Sequence, residues 1–526
     1  MERIGIVVKS PSVYYFIFKT FREVSLDVGS FVTVEDDGAK TLARVVALRY
    51  KNVAVDRRLV AHLDSEETIE EIRKILGLEE ALYYTEAKAV VLGYRQGRHI
   101  HRPRKPVRPL SYVYKAGEDE LEQFFAPRPE GLYLTIGKIK GTEIPARIDA
   151  EKLVTQHCAI LASTGAGKSW LAGVIIERLS TLDIPIVVID PHGEYSTMSI
   201  PDAVEGEKVV EKVKIYVVGK VDTEAVDTAF REKFGRYRSY TRVGVNPRSI
   251  PLRTLEKIID MLYGLTDAQR RILEEGWQVA TNYGERQPLT TVEELVREVI
   301  EGGRHAAPHG YAGEMALKGL EGRLKTLFLT SPIFITKYGE TYRGEPIKLI
   351  NPEAYTTEPY IHIFDMSTLD GLDQQIFLAV LLDQLYRVAA RRKNLTTFVV
   401  IEEAHNFAPT SYSISKSYLI KIAREGRKFG IGLCLISQRP SKLDQDVVSQ
   451  AMTQIFKRMI NPHDLKYVAA VAEHLDDPRQ LKTMDETEAL VTGVAVPAPL
   501  LITVDKRWTQ HGGFTPGLRK KLKEII

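Results

Sequence analysis

The stretch Ala159-Ile-Leu-Ala-Ser-Thr-Gly-Ala-Gly-Lys-Ser169 decides the fold of this chain. Residues 159–162 form an apolar run that predicts a buried strand, and residues 170–179 have the composition of a helix. A glycine-rich turn between a strand and a helix is the setting in which backbone N–H groups surround phosphates, and the positive end of the helix dipole favours their charge. The sequence therefore predicts a nucleotide-binding loop in an α/β fold.

The loop supplies seven candidate nucleotide-binding residues, which are Ser163, Thr164, Gly165, Ala166, Gly167, Lys168 and Ser169. We expect Lys168 to contact the β and γ phosphates of ATP, as a catalytic residue, and the Ser169 hydroxyl to ligate Mg²⁺. The full loop pattern begins with glycine, where this chain has Ala162. Alanine is tolerated there unless the backbone requires a positive φ.

Two carboxylates follow a second buried strand, in the sequence Phe398-Val-Val-Ile-Glu-Glu403. Carboxyl ends of parallel strands share one edge of a sheet, so both acids are expected near the phosphates. We assign Glu402 to Mg²⁺, through the water shell of the ion, and Glu403 to the attacking water as general base. The alternative is that both are exposed glutamates at the start of a helix.

Further polar residues follow other predicted strands. Asp190 and Glu194 come after an apolar run that ends at residue 189, and both are candidates for the nucleotide site. Gln438 follows the run 432–436, where its amide could sense the γ-phosphate. His192 and His405 either join this network or are only hydrogen-bonded neighbours of the acids.

Positive charge is concentrated between residues 416 and 442, where seven lysines and arginines accompany the single acid Glu425. A guanidinium offered to the γ-phosphate of a neighbouring subunit would make hydrolysis depend on assembly. Arg427 is the first candidate for this catalytic role and Arg424 the second. The alternative is a solvated helix face.

The length and composition of the chain exclude several classes of protein. A chain of 526 residues is too long for one hydrophobic core. Its net charge of +3 excludes a uniformly basic or uniformly acidic protein. It does not exclude a nucleic-acid-binding protein whose basic residues are concentrated on one surface. Cys158 and Cys434 each lie in an apolar run and are expected to be core residues. The absence of a long apolar run and of a signal peptide predicts a soluble, cytoplasmic protein.

The pattern along the chain predicts four parts. Short alternating runs predict an N-terminal antiparallel β-barrel over residues 1–145, with a helix near 65–77. The basic proline-rich segment 95–115 is expected to be a connection that closes the barrel, and the alternative is that it follows a phosphate backbone. Short apolar strands alternating with helices predict a core with a mainly parallel sheet over 146–221 and 344–508. Helical periodicity predicts an inserted helical subdomain over 222–343, and a tail follows at 509–526.

Taken together, these motifs resemble the HerA family, within the HerA/FtsK group of P-loop ATPases. The resemblance rests on TGAGKS at 164–169, IDPHGEY at 189–195, VVIEEAHNFAP at 399–409, EGRKFG at 425–430 and ISQRPS at 436–441, and on the order of the parts. It implies a RecA-like core in a ring of six identical subunits through which double-stranded DNA passes. It also implies that Arg427 is the arginine finger, the residue that one subunit offers to the nucleotide of its neighbour.

The resemblance further implies a role in DNA end resection during double-strand-break repair. The implied partners are a NurA-type nuclease and the break-repair nuclease and ATPase complex, and the implied location is the nucleoid. Segments 409–416 and 439–445 are the candidate DNA-contacting loops. The alternative function is a related ATPase that moves DNA or protein through a membrane-associated channel. A third hypothesis, a nucleotide-gated clamp without turnover, is disfavoured by Glu403.

Overall fold

The computed structural model describes residues 2–21, 24–36, 39–52, 83–96, 99–101, 103–127, 130–281, 291–337, 339–392, 396–472, 475 and 477–512. The chain divides into two compact units. Unit 1 comprises residues 1–149 and 472–504, and unit 2 comprises residues 150–471 and 505–526. Residues 472–504 were expected in the ATPase core, but they group with the barrel. The other predicted domain boundaries stay predictions.

An antiparallel barrel begins unit 1. Its strands are β1 (Arg3–Lys9), β2 (Tyr15–Thr20), β3 (Phe31–Asp36), β4 (Ala39–Asn52), β5 (Tyr83–Gln96), β6 (His99–His101) and β7 (Tyr112–Lys115). They lie in the order β2-β1-β7-β3-β4-β5-β6, and a further pairing between β2 and β5 closes the sheet. Closure removes exposed sheet edges.

Alternation of apolar and polar residues forms the barrel because successive side chains on a strand face opposite sides. Phe16, Phe18, Val32 and Val34 point inward and are fully buried. The predicted barrel is therefore confirmed. The basic connection leads to β7, which pairs with both β1 and β3, and the helix predicted near residues 65–77 lies outside the described residues.

Unit 2 contains a parallel sheet. Two strands of unit 1, β8 (Tyr133–Ile139) and β9 (Pro145–Asp149), precede it in the chain. The strands of the parallel sheet are β10 (Cys158–Leu161), β11 (Ile186–Asp190), β12 (Val213–Val218), β13 (Thr241–Gly244), β16 (Lys348–Leu349), β17 (Ile361–Asp365), β18 (Thr397–Ile401), β19 (Ile431–Ser437) and β20 (Thr453–Phe456). Strands β14 (Thr341–Tyr342) and β15 (Glu345–Pro346) form a separate hairpin. The order in unit 2 is β16-β13-β12-β17-β11-β18-β19-β10-β20, with every neighbouring pair parallel.

The central strands of this sheet are buried along their whole length, as expected of a sheet covered on both faces. Residue Leu161 is paired with Ser437, and Ile189 with Ile401. The register thus brings the loops after β10, β11, β18 and β19 to the same edge. Cys158 and Cys434 are buried, unoxidised neighbours within the sheet, as expected of core residues.

Helices occur in both units, and those of unit 2 surround the sheet and form the insertion. In the described residues they are α1 (Glu118–Phe124), α2 (Ala150–Thr155), α3 (Lys168–Leu179), α4 (Val204–Val210), α5 (Glu224–Phe234), α6 (Leu252–Tyr263), α7 (Asp267–Thr281), α8 (Val292–Gly302), α9 (Tyr311–Thr330), α10 (Pro352–Thr357), α11 (Gly371–Arg391), α12 (Lys416–Glu425), α13 (Gln445–Val448) and α14 (Pro462–Val471). Helices α6 to α9 occur where periodicity predicted them.

Two strand predictions are corrected. Strand β13 lies inside the region predicted as a helical subdomain, yet it pairs with β12 and belongs to the parallel sheet. The last strands, β21 (Glu488–Gly493) and β22 (Leu500–Val504), lie in the region that was predicted to form part of the mainly parallel core. They instead pair antiparallel in unit 1, and β22 lies between β21 and β8. Short buried runs look alike in parallel and antiparallel sheets, so the sequence could not distinguish them.

Candidate nucleotide-binding and catalytic site

The loop between β10 and α3 has the backbone that its glycines predict. Gly165 and Gly167 have φ values of 72° and 79°, in the left-handed region that favours glycine. Ala162 lies outside that region, so the alanine at the first loop position causes no strain. The Ser163 N–H donates to the carbonyl of Arg458, and the Ser163 hydroxyl accepts from the Ile460 N–H at 3.3 Å. The loop is thereby tied to the chain after β20.

Lys168 joins the loop to the two predicted catalytic acids. Its Nζ forms an ion pair with Glu402 Oε1 and lies 3.0 Å from Glu403 Oε1. Burial acts to lower the pKa of Lys168, but the charges of Glu402 and Glu403 outweigh it and raise the pKa above its ordinary value. Lys168 is therefore a protonated amine between two carboxylates at the end of β18.

The two acids have different environments. Glu402 is fully buried, and burial raises its pKa although Lys168 and Tyr195 act to lower it. Burial also acts to raise the pKa of Glu403, but the hydrogen bond from His405 and the charge of Lys168 lower it below its ordinary value. Glu403 is therefore ionised at neutral pH, as a general base must be. Neither acid is exposed, which excludes the alternative of two surface glutamates.

Glu403 has a strained backbone. Its φ of 50° and ψ of 45° place a non-glycine residue in the left-handed region, at a cost of about 1 kcal/mol. His405 Nδ1 lies 3.2 Å from Glu403 Oε2 and 3.3 Å from the hydroxyl of Ser437. His405 thus joins the acids to the end of β19. His192, by contrast, is exposed and contacts Asp190 through its backbone N–H.

Asp190 shapes the loop that follows β11. It is fully buried, and its carboxylate accepts hydrogen bonds from the backbone N–H groups of His192, Glu194 and Tyr195. Burial and the neighbouring charge of Asp365 raise its pKa well above the ordinary value. Its assignment to the nucleotide stays a prediction, because its carboxylate already holds this loop in place.

Tyr195 is a site residue that the sequence did not single out. Its side chain is buried, and its hydroxyl donates a 2.6 Å hydrogen bond to Glu402 Oε2. The residue belongs to the IDPHGEY motif, but the 207 positions between the two partners hid the contact. Glu194 is half-buried, and its Oε2 is sealed from solvent without a hydrogen-bond donor.

Gln438 lies beside the phosphate loop, and its role as a sensor of the γ-phosphate stays a prediction. The Thr164 hydroxyl donates to Gln438 Oε1 at 2.8 Å. The structure therefore brings Lys168, Glu402, Glu403 and Gln438 together from strands β10, β18 and β19.

The two candidate arginines are distinguished by their partners. Arg424 forms a 2.8 Å ion pair with Asp446. Arg427 is exposed in the turn Gly426–Phe429, and no carboxylate of the described residues lies within ion-pair distance of it. Arg427 is accordingly the better candidate for a group presented to a neighbouring subunit.

The two candidate DNA-contacting segments are hydrogen-bonded to each other. The Thr410 N–H donates to the carbonyl of Lys442, and the Asp444 N–H donates to that of Ala408. Lys416 and Asp444 add a 2.6 Å ion pair. Tyr412 is 68% exposed at the tip of the first segment. The two segments therefore form one joined surface feature.

Comparison with known proteins identifies the family. The family model described as Helicase HerA, central domain, matches residues 134–385, and the HAS barrel domain model matches residues 4–97. The chain belongs to the HerA helicase family. It is an enzyme of the ATP-hydrolysing helicase and translocase class. Within its described residues, no helix has the length and apolar character needed to cross a membrane.

Two curated relatives are similar over most of their length. A probable helicase of Methanocaldococcus jannaschii is 29% identical, over 92% of this chain and 88% of the relative. The DNA double-strand break repair helicase HerA of Pyrococcus furiosus is 27% identical, over 96% of this chain and 92% of the relative. Among solved structures, VirB4 of Thermoanaerobacter pseudethanolicus has a TM-score of 0.51 and 15% identity, and covers 72% of this chain and 97% of that one. This last likeness concerns the fold alone.

Proposed function

We propose that this protein is a motor that hydrolyses ATP to move along double-stranded DNA, as a homohexamer, during DNA end resection in double-strand-break repair. Its proposed partners are a NurA-type nuclease and the break-repair nuclease and ATPase complex, at the nucleoid. The observation that carries the proposal is the convergence of Lys168 with Glu402 and Glu403 beside the phosphate loop. The similarity to the DNA double-strand break repair helicase of Pyrococcus furiosus supports the repair assignment.

The residues present fit a nucleotide with Mg²⁺. Glu194 Oε2 is buried without a hydrogen-bond donor, and such an oxygen is stabilised by a cation or its water. The described residues contain no cluster of three or more metal-ligating side chains. The ion would accordingly be held by the nucleotide phosphates together with Ser169 and Glu402, and would neutralise charge on the β and γ oxygens.

The chain supplies the remaining chemistry. Glu403 accepts the proton of the attacking water, and Gln438 donates a hydrogen bond to the γ-phosphate. Lys168 leaves the two acids for the phosphates when ATP binds, because phosphate oxygens carry more charge than the carboxylates it contacts. Arg427 of one subunit reaches the γ-phosphate of the next.

ATPase assays with and without duplex DNA test this proposal. We expect DNA to stimulate wild-type turnover, and Glu403→Gln to lower it roughly 100-fold or more, as for the loss of a general base. Binding of ATP should persist in that variant. Absence of DNA stimulation would contradict the motor, and wild-type turnover in Glu403→Gln would exclude Glu403 from the mechanism.

Rings assembled from two kinds of variant subunit test whether Arg427 acts across the subunit interface. Arg427→Ala and Lys168→Ala subunits are each expected to be inactive alone, and their mixture is expected to regain part of the activity. Recovery requires an intact loop in one subunit and an intact Arg427 in its neighbour. Arg424→Ala is the matched control, which should retain turnover. Wild-type turnover in Arg427→Ala alone would contradict the assignment of Arg427.

A further inference from the structure

An aromatic side chain begins the helix that follows the phosphate loop. Trp170 comes directly after Lys168 and Ser169, in the first turn of α3, and is half-buried. Its indole Nε1 donates to the carbonyl of Asp505 at 3.0 Å. Its ring meets the ring of His511 edge to face, with the centroids 5.7 Å apart. A pair of aromatic rings therefore lies beside the start of α3.

A buried carboxylate brings His511 to this position. Glu177, on α3, is fully buried and accepts hydrogen bonds from Arg507 Nε at 3.1 Å, the Trp508 N–H at 2.7 Å and the Thr509 hydroxyl at 2.6 Å. Gly173 leaves space for the guanidinium, since a Cβ there would lie 2.6 Å from Arg507. Residues 507–509 are thus fixed along the phosphate-loop helix.

The chain that continues from residues 507–509 also contacts the loop after β11. Gly512 packs so closely on Glu194 that an added Cβ would lie 2.1 Å from the Glu194 carbonyl oxygen. Burial first, and then Arg507, lower the pKa of His511 below its ordinary value, so the ring is neutral at neutral pH. The charges of Lys168 and Glu194 also act on this ring, which places it within electrostatic reach of the nucleotide site.

The phosphate loop fixes the direction of the nucleotide. Its β and γ phosphates lie toward Lys168 and the acids, while the helix N-terminus receives the phosphate nearer the nucleoside. The nucleoside must therefore leave the loop past the residue that follows Ser169, which is Trp170. A neutral aromatic wall at that point suits the face of a base, because stacking on an aromatic ring does not require hydrogen bonds to the base edge.

We propose that Trp170 and His511 form the base-binding wall of the nucleotide site and hold the purine ring of ATP by ring contacts. This inference rests on the proposed nucleotide binding at the phosphate loop and adds the recognition of the base. Recognition by ring faces accepts adenine and guanine alike, so ADP and GDP should bind with similar affinity.

Calorimetric titration of the full-length protein with ADP and with inorganic tripolyphosphate separates the base from the phosphates. In Trp170→Leu we expect ADP to bind roughly 10-fold more weakly, because the base loses the aromatic ring on which it stacks. Tripolyphosphate, which has no base, should bind as in the wild type. Trp170→Phe keeps an aromatic face and should recover most of the affinity for ADP.

His511→Ala leaves helix α3 and Trp170 unaltered, so a loss of affinity in this variant does not reflect misfolding of α3. It should also weaken the binding of ADP and leave the binding of tripolyphosphate unchanged. Tyr311→Leu is the control, since it removes an aromatic ring that is 82% exposed in the helical insertion. Unchanged ADP affinity in Trp170→Leu and His511→Ala would overturn the inference, as would an equal loss for both ligands. A wild type that binds neither ligand would overturn the nucleotide site itself, which is a distinguishable result.

Discussion

The Tyr195 hydroxyl donates a 2.6 Å hydrogen bond to Oε2 of Glu402, and both side chains are fully enclosed by protein. The other oxygen of Glu402 contacts Lys168. The backbone N–H of Tyr195 is held in turn by Asp190 at 2.8 Å. Two buried acids at the ends of neighbouring strands are therefore linked through one tyrosine, which orients the carboxylate assigned to Mg²⁺.

Tyr195→Phe is expected to lower ATPase turnover about 10-fold or more. The substitution keeps the ring but leaves a buried carboxylate oxygen without its donor, and a hydrogen bond to a charged group contributes about 1.5–3 kcal/mol. Steady-state kinetics at saturating ATP measures this effect. Tyr418→Phe is the control, because that buried hydroxyl donates at 2.7 Å to the neutral side chain of Thr254, on helix α6. Equal turnover in the two variants would contradict an orienting role for Tyr195.

Glu177→Gln is expected to lower the free energy of unfolding by about 3 kcal/mol or more. Arg507 is 3% exposed and pairs with Glu177 at 3.1 Å, so the amide would leave a buried guanidinium without its countercharge. Urea denaturation measures the change. Glu207→Gln is the matched control, since Glu207 is exposed on helix α4. A loss in Glu177→Gln no greater than in the control would contradict a stabilising role.

The local parts of the site could be predicted from the sequence. The glycines at 165 and 167 and the acids at 402 and 403 mark sharp transitions from apolar strands, and parallel strands bring such transitions to one edge. The contacts of Tyr195 with Glu402 and of Thr164 with Gln438 could not be predicted in this way. Both join residues more than 200 positions apart, so they depend on side-chain packing across strands.

The less predictable parts of the fold have a similar physical cause. The strand Thr241–Gly244 is only four residues long and stands between helices, so periodicity gives it little weight. Strands β21 and β22 are apolar enough for a parallel core but pair antiparallel. Asp190 ends a strand, and its assignment to the nucleotide stays a prediction; its hydrogen bonds to the backbone of the following loop depend on the fold of that loop, which a strand pattern does not describe.

Acid is expected to destabilise the protein through His157. Burial lowers the pKa of His157 to about 4, from an ordinary value of 6.5. Between these values the unfolded chain binds the proton and the folded chain does not, so the stabilisation is complete above pH 6.5 and is lost as the pH falls toward 4. The loss between pH 7.5 and pH 5 should be about 2 kcal/mol.

Urea denaturation at both pH values measures this loss. His157→Asn removes the titrating group and keeps an acceptor for the Leu433 N–H, which His157 Nδ1 accepts at 3.0 Å. The variant should therefore lose less stability than the wild type on acidification, by about 2 kcal/mol. His309→Asn, at an exposed position, is the control and should behave as the wild type. Identical pH dependence in His157→Asn and wild type would refute the prediction.

Lys442→Ala is expected to weaken the binding of duplex DNA and to reduce the dependence of that binding on salt concentration. Lys442 is exposed, and its backbone carbonyl accepts from the Thr410 N–H, so truncating the side chain preserves the link between the two loop segments. Each lost phosphate contact lowers the slope of log K against log salt by about 0.9, because fewer counterions are released. Fluorescence anisotropy with labelled duplexes at several salt concentrations gives this slope. Lys348→Ala removes another exposed lysine, on β16, and should leave the slope unchanged. If Lys442→Ala also left it unchanged, the 439–445 segment would not contact the phosphates, and the motor would have to engage DNA through other residues.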